Sequence, residues 1–486
     1  MYPSALSLSP VKKTKAVTMQ KKLSPVQIAI LWLLCLLTAL SGTEPAFAET
    51  APAAEAALYS AIDSYLQSGA KNAHIPSMAV TIVNKDQVLF AQAYGSCKDT
   101  DTPFWLGSVS KSFTAVCIMQ LAERGKLDLN APISAYLPDA VDGDQITVRQ
   151  LLNHTSGLGE HQTLRNYRII NEQGIHCYAN VNYSLLGKII EAVSNQSYSD
   201  YITQNLLEPL QLTHTAATLQ QSLENGLIGG YTNYWGIPIQ RRHKYPSSEK
   251  DWITVPAGYL SSSANDLGKY LQMYLNGGKG ILSAQSIDTL FYGDTVYVED
   301  QVPYWYGYGW TTVKEPLSEP VLRHSGLVET GTSCVYILPD RGIAVAITAN
   351  VNDYFVANNM MDSLGWGVIL MLLGESPNEV SNSTYVWGHI QVDLILLILL
   401  AAAILSVLLI PLRQKKLLTI LLFLFFHVLL PIFILLSVPI FFATPLWVAR
   451  AFVPDVFITV VLSAALLLTG GAIKALLLYR QIKRSK

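Results

Sequence analysis

The sequence predicts a mixed α/β chain of the α+β kind: an antiparallel sheet flanked by helices, an inserted helical lobe, and three transmembrane helices at the C-terminal end. Strand patterns occur near both ends of the segment 49–374, at Met78–Val83 and Val88–Tyr94 and again at Ser333–Leu338 and Ile343–Ala349. The stretch between about 127 and 300 reads mostly as helices and long loops. That order puts both ends of the segment into one sheet and its middle into a lobe. Segment 390–486 then holds three apolar runs, Leu394–Leu412, Leu417–Phe442 and Val456–Leu478, each long enough to cross a bilayer as a helix.

Taken in order, residues 1–48 read as an export signal. Lys12, Lys13, Lys15, Lys21 and Lys22 precede the apolar run Ile28–Leu40, and Ala46-Phe47-Ala48 is a small-x-small cleavage site. The basic region is long, and a start at Met19 instead of Met1 gives a more usual one. An uncleaved anchor helix is the alternative. Cys35 follows Leu33 and Leu34 rather than a small residue, which argues against a lipoprotein signal. Ala53–Leu66 places Leu58, Ile62, Tyr65 and Leu66 at helical spacing. Asn84-Lys85-Asp86-Gln87 and Pro339-Asp340-Arg341-Gly342 are the turns of the two hairpins. Phe113–Arg124 is an apolar helix closed by Gly125, and Val356–Leu373 is a second helix. Residues 375–389 read as a linker to the membrane region, and no internal repeat is present.

Charged residues make up 14% of the chain and hydrophobic ones 50%, which excludes a disordered polyelectrolyte. The formal net charge of -2 is an average over unlike parts. Segment 49–389 has 19 basic and 32 acidic residues, whereas 390–486 has 9 basic and 2 acidic. An acidic outer part has no electrostatic pull toward nucleic acid or anionic polymers. Basic residues gather in Arg413-Gln414-Lys415-Lys416 and in Arg480, Lys483, Arg484 and Lys486, while Arg450 is the single one between the second and third runs. Positive charge stays on the cytoplasmic side. The expectation is a multi-pass cell-membrane protein with segment 49–389 extracytoplasmic, the C-terminus cytoplasmic and the lipid bilayer as a partner. Pro431 and Pro439 should kink the second span, and Lys474 can snorkel to the inner surface. His427 lies within a span. It is either a functional ionisable group or a neutral side chain packed between helices.

Cys97, Cys117, Cys177 and Cys334 follow the signal, with no C-x-x-C pair, and no disulfide can be assigned from spacing. Cys117 and Cys334 sit in apolar patterns as small hydrophobes. Neither H-E-x-x-H nor G-x-S-x-G occurs, and the histidines show no metal-ligand spacing, so no metal and no organic cofactor is expected. S-x-x-K occurs four times, at Ser9-Lys12, Ser68-Lys71, Ser108-Lys111 and Ser247-Lys250. Only Ser108 opens an apolar helix. There the spacing stacks the Lys111 amine one turn from the Ser108 hydroxyl, where an amine of lowered pKa can take its proton. A helix start also offers N–H donors to an oxyanion. Tyr178-Ala179-Asn180 and His324-Ser325-Gly326 follow in order. A phenol near an ammonium ionises more readily and can act as a base.

This constellation resembles the serine β-lactamase and penicillin-binding-protein superfamily, in its class C β-lactamase-like branch, over most of residues 55–373. Flanking blocks add to it, among them Leu151-Leu152-Asn153-His154-Thr155-Ser156-Gly157-Leu158, Pro256-Ala257-Gly258-Tyr259-Leu260-Ser261-Ser262 and Tyr306-Gly307-Tyr308-Gly309-Trp310. The resemblance implies Ser108 as acylated nucleophile, Lys111 as its amine partner, Tyr178 as base for acylation and deacylation, and Asn180 as a substrate-positioning residue. It implies an oxyanion hole from the N–H groups of Ser108 and Leu327, with His324, Ser325 and Gly326 on the substrate side. The pattern departs from the family's Lys-Thr-Gly, since His324 and Ser325 stand for the Lys and Thr. A fixed cation for a substrate carboxylate is thereby lost, because histidine is charged only below about pH 6.5. The stretches Gly95 to Ser108 and Leu158 to Tyr178 are also short for this branch. Asn153 and His154 are expected to brace a loop, and Arg241-Arg242-His243-Lys244 to form a solvated surface loop. Tyr306, Tyr308 and Trp310 are expected either in the cleft or in the core.

The expected function is a membrane-anchored extracytoplasmic serine hydrolase. It would act through an acyl-enzyme on an amide, peptide or ester carbonyl of a cell-envelope substrate, in the manner of D-amino-acid peptidases, esterases or β-lactamases. The alternative is a binding or sensor module that keeps the fold without turnover and signals through its membrane helices.

Overall fold

The computed structural model describes residues 51–291, 295–299, 302–314, 317–409 and 417–484. The export-signal segment and Arg413–Lys416 lie outside these. Contacts divide the chain into Tyr2–Ile62, described only as the first turns of helix α1 (Ala51–Asn72), and Asp63–Lys486, which holds everything that follows.

Both expected hairpins form. β1 (Ser77–Asn84) and β2 (Val88–Gly95) are joined where the Asn84 side-chain oxygen accepts from the N–H groups of Asp86 and Gln87. The short β3 (Phe104–Trp105) leads to the buried helix α2 (Ser110–Glu123), which Gly125 closes at φ +64°. Helix α3 (Asn180–Ser194) belongs to the lobe. Two strands, β4 (Gly230–Tyr234) and β5 (Ile237–Arg241), then form a hairpin inside the stretch expected to be helical. Helix α4 (Val255–Gly258), β6 (Ser261–Ser262) and helix α5 (Ala264–Leu275) follow. The remaining strands are β7 (Thr295–Glu299), β8 (Val302–Gly307), β9 (Trp310–Val313), β10 (Val321–Val328), β11 (Gly331–Leu338), β12 (Ile343–Ala349) and β13 (Val351–Asn352), before helix α6 (Ala357–Leu373).

The main sheet runs β2-β1-β12-β11-β10-β9-β8-β7 and is antiparallel. The two ends of the domain meet at β1 and β12, with Val80 opposite Ile347. The central strands β1 and β11 are buried almost throughout because both faces are covered. On one face Gly268 of α5 lies against Thr81 and Val83, and on the other Gly365 of α6 lies against the Tyr336 ring. Helix α2 is buried from Ser110 to Leu121 between sheet and lobe, so the segment that carries the S-x-x-K motif is core on all sides.

Among the described residues, three helices are long and apolar enough to cross a membrane: α7 (Asn382–Leu409), α8 (Leu417–Phe441) and, after the short α9 (Leu446–Phe452), α10 (Pro454–Arg484). The irregularity expected in the second run is a π-turn at Phe425–Leu429, directly before Leu430-Pro431. Pro431 has no N–H to continue the ladder, and a wide turn absorbs that loss. Lys474 does not extend outward. Its ammonium lies 3.3 Å from the Ser406 carbonyl and 3.1 Å from His427 Nε2, whose other ring nitrogen faces the Leu467 carbonyl at 2.9 Å. His427 is thus a packed, hydrogen-bonded side chain between helices.

The segment 375–389 is a loop only in part, since α7 begins at Asn382. Tyr385 donates to the Gly236 carbonyl at 3.0 Å, and His389 Nε2 lies 2.9 Å from Asp353 Oδ2. Val448 and Phe452 of α9 belong to the main hydrophobic core, and Asn352 donates to the Phe452 carbonyl at 2.9 Å. The domain is therefore docked on its apolar helices through side chains as well as joined to them by chain.

Candidate active site

Ser108 lies in the turn Gly107–Val109 that enters α2 and is 8% exposed. The preceding Gly107 has φ +54°, and a Cβ there would stand 2.2 Å from the Leu327 nitrogen. Only glycine lets the nucleophile turn and β10 approach so closely. The same holds from the other side, where a Cβ on Gly326 would stand 1.9 Å from the Leu106 carbonyl oxygen. Ser333 ties the two together by donating to that carbonyl at 2.6 Å. β9 pairs with β10 only from Val321 to Arg323, so beyond that point this edge of β10 faces the Ser108 turn. We expect Gly326→Ala to cost about 1–3 kcal/mol of stability through backbone displacement and to abolish acylation. Thermal melts together with labelling of Ser108 by a fluorophosphonate check both.

Lys111 is fully buried, and its Nζ has three neighbours: Ala257 O at 2.7 Å, Asn180 Oδ1 at 2.8 Å and Ser108 Oγ at 3.1 Å. Burial holds its pKa well below 10.5. The two shorter contacts end on groups that only accept. A neutral amine spends its two N–H groups on them and turns its lone pair to the Ser108 hydroxyl. The Tyr178 ring lies over the same amine, 4.8 Å from Nζ to centroid. Ser108, Lys111, Tyr178 and Asn180 thus come together at one point from the turn that enters α2, from α2, from the loop before α3, and from α3 itself.

The Ala257 carbonyl is a part of the site that spacing alone does not single out. It sits in α4, inside the Pro256-Ala257-Gly258-Tyr259 block, and Thr114 anchors the same turn by donating to the Pro256 carbonyl at 2.8 Å. His154 is the second such part. It is fully buried at φ +58°, and its Nδ1 accepts from the Ala179 N–H at 3.2 Å and from the Asn182 side chain at 2.9 Å. Burial, with His176, Lys111 and His324 nearby, keeps it neutral. Its ring packs on Tyr178 at 4.3 Å. The loop that His154 braces is therefore the one that carries Tyr178 and Asn180. His154→Ala strands a buried N–H and an amide, a loss of about 1–3 kcal/mol for each. It should lower kcat more than it raises KM, which steady-state kinetics on a chromogenic ester would read.

His324 is 6% exposed on β10. Its Nδ1 lies 2.7 Å from the Ser325 carbonyl, which can only accept, so Nδ1 carries the proton and Nε2 is an acceptor. Nε2 has no hydrogen-bond partner among the described residues. Burial foremost, then the Lys111 charge, pushes its pKa down to about 3. The neighbouring Arg323 pairs with Asp362 at 2.7 Å and brings no cation to the cleft. Ser325 is half-buried opposite Cys334 in the ladder.

The YGYGW block divides. Tyr308 accepts from Arg149, and Trp310 donates to Tyr274 in the core. Tyr306 lies beneath the cleft against the rings of His154, Tyr178 and His324. The basic run at 241–244 is solvated as expected at Arg241, Arg242 and Lys244, with only His243 half-buried. His243 stands edge-on to Trp105, and Lys244 pairs at 2.5 Å with Glu329, which also accepts from Tyr259. The four cysteines Cys97, Cys117, Cys177 and Cys334 are free, with Cys117 and Cys334 buried.

The sequence model described as Beta-lactamase matches residues 62–362. Protein flp of Staphylococcus aureus (strain MW2) is 28% identical over 329 residues, 61% of this chain and 64% of that protein. The teichoic acid D-alanine hydrolase of Staphylococcus aureus is 30% identical over 235 residues, 44% of this chain and 56% of that protein. The chain thus matches less than two thirds of the length of these curated relatives. Among solved structures, the octameric penicillin-binding protein homologue from Pyrococcus abyssi superposes with a TM-score of 0.58 at 25% identity, covering 67% of this chain and 80% of that one. A class C beta lactamase from Rhodobacter sphaeroides superposes with a TM-score of 0.55 at 20% identity, covering 64% and 99%, a likeness of fold.

Proposed function

The chain belongs to the Beta-lactamase family, and from that premise we propose that it is a membrane-anchored, extracytoplasmic serine hydrolase that cleaves an acyl ester whose leaving group carries no carboxylate. The observation that carries the ester reading is His324. Where a lysine would offer a cation to a carboxylate, this site offers an uncharged ring with an acceptor nitrogen. Such an acceptor suits an N–H donor, including the ammonium of an aminoacyl ester. The name of the teichoic acid D-alanine hydrolase supports the same substrate class, a D-alanyl ester.

Ser108 Oγ attacks the ester carbonyl as its proton passes to Lys111 Nζ. The oxyanion takes hydrogen bonds from the Ser108 and Leu327 N–H groups, and Asn180 positions the acyl part. Collapse breaks the bond to the alcohol oxygen, which leaves with a proton from the Lys111–Tyr178 pair. Water then attacks the acyl carbonyl and gives a proton to the same pair; collapse breaks the bond between the acyl carbon and Ser108 Oγ, the pair returns that proton to Oγ, and the acid is released. No metal or organic cofactor enters these steps. The bilayer is held by α7, α8 and α10, with the C-terminus in the cytoplasm.

His324→Lys tests the substrate class. It should raise kcat/KM for D-alanyl-D-alanine peptides or penicillins and lower it for D-alanyl esters. Unchanged preference, or wild-type turnover that favours carboxylate-bearing amides, would overturn the ester reading. Wild-type kcat/KM should also show no ionisation from His324 between pH 5 and 9, because its pKa of about 3 leaves it neutral throughout.

A further inference from the structure

We propose that the β4–β5 hairpin is a further membrane contact, seated in the headgroup layer on the domain's side of the bilayer, and that it holds the catalytic cleft at the lipid surface. The inference rests on the reading that α7, α8 and α10 span a membrane, and not on any catalytic activity. Depth comes first. Trp235 at the hairpin turn donates its backbone N–H to Asp455 Oδ2 at 3.2 Å, and Asp455 is in the first turn of α10. Gly236 accepts from Tyr385 and lies against the His389 ring, in the first turns of α7. The turn of the hairpin is therefore level with the ends of two spanning helices.

Surface chemistry agrees. Trp235 is 43% exposed, and beside it Ile237 and Ile239 of β5 are 60% and 45% exposed. Trp387 of α7 and Trp447 of α9 are exposed in the same zone, at 62% and 48%. Tryptophan concentrates at membrane interfaces because its ring is apolar and its N–H is polar. Isoleucines exposed on a strand have no such excuse in water but fit lipid. Arg241 sits at the far end of β5, opposite Gly230, but its guanidinium reaches back over the Tyr234 ring and donates to the Tyr234 hydroxyl beside the turn, which brings an exposed cation toward the lipid phosphates.

The other end of the hairpin meets the site. Thr232 donates to the Glu329 carbonyl at 2.6 Å, and a Cβ on Gly230 would stand 2.4 Å from the Thr330 carbonyl oxygen. Glu329 and Thr330 follow directly on Leu327-Val328 of β10. A five-residue strand is about 16 Å long, so the hairpin is a short strut from lipid to cleft. An acyl donor anchored in the same leaflet then reaches Ser108 by extending its acyl end about the length of that strut while its lipid part stays in the membrane.

The test uses the full chain in phosphatidylcholine–phosphatidylglycerol nanodiscs, with nitroxide labels placed singly at Ile237→Cys, Ile239→Cys, Val88→Cys and Leu397→Cys, and the signal of the unsubstituted protein subtracted. Relaxation by oxygen against a water-soluble nickel chelate reads depth. The expected result is an oxygen-to-nickel ratio several-fold higher at Ile237 than at Val88, an exposed strand site on the far edge of the sheet, with Ile239 intermediate. A label at Leu397 in lipid with Ile237 and Val88 equally open to nickel overturns the proposal and leaves the anchoring intact. A label at Leu397 open to nickel overturns the anchoring itself, and the proposal with it.

Discussion

Ser108→Ala is expected to remove turnover of every acyl substrate, by a factor on the order of 10⁵–10⁶ in kcat/KM, as loss of a nucleophile does in other serine hydrolases. The variant keeps the fold, since the lost hydroxyl makes one contact of 3.1 Å to Lys111 and leaves Gly107, Gly326 and the Ser333–Leu106 bond in place. Stopped assays on a chromogenic D-alanyl ester, with thermal melts alongside, read both halves. Retained turnover in this variant places the chemistry elsewhere.

Lys111→Met is the second large effect. It keeps much of the side-chain volume and removes the amine that takes the Ser108 proton, so acylation should slow by about 10²–10⁴. The pH dependence gives the sign. Wild-type acylation should rise with pH through the folded-state pKa of Lys111, which burial sets well below 10.5, and then level off. In Lys111→Met that rise should vanish. Stability carries the same signature. Between the folded and unfolded pKa values the unfolded chain binds the proton that the folded one lacks, so wild-type stability increases with pH there, and the variant loses that slope. Single-turnover rates and denaturant melts across pH measure the two. A pH-rate limb that survives in Lys111→Met assigns the base to another group, with Tyr178 the first to examine.

Much of this was legible in the chain. The two outer hairpins follow from alternating apolar runs bounded by turn residues, and the three apolar helices from length and hydropathy alone. The four residues that meet at Lys111 Nζ lie at motif spacings. What escaped has a physical reason in each case. β5 and β7 are only five residues each, and Pro238 inside β5 argues against a strand, so neither short run stands out although both alternate in sequence. The Ala257 carbonyl is backbone and has no residue signature. His154 looks like any loop-bracing histidine until the fold brings Ala179 and Asn182 to its Nδ1. Pairing between Asp353 and His389 joins positions 36 apart across the segment that composition marks as a linker. Periodicity has no reach over such a distance.

His324 links the site to its substrate class in a way composition did not reveal. In isolation a histidine in place of lysine reads as a weaker cation. Burial and the Ser325 carbonyl convert it into a neutral acceptor, which inverts the polarity offered to the substrate. The acidic charge of segment 49–389 points the same way, toward substrates that bring a cation rather than a carboxylate.

The central claim, an acyl-enzyme on Ser108, is tested most directly by rapid-quench intact-mass analysis of the full chain in detergent after mixing with an activated D-alanyl ester. The account predicts one acyl group per chain, mapped by proteolysis to the peptide that contains Ser108, formed and lost on the time scale of turnover. The adduct should be absent from Ser108→Ala and slow to appear in Lys111→Met. Turnover without a Ser108 adduct, or an adduct that maps to another residue, would contradict it.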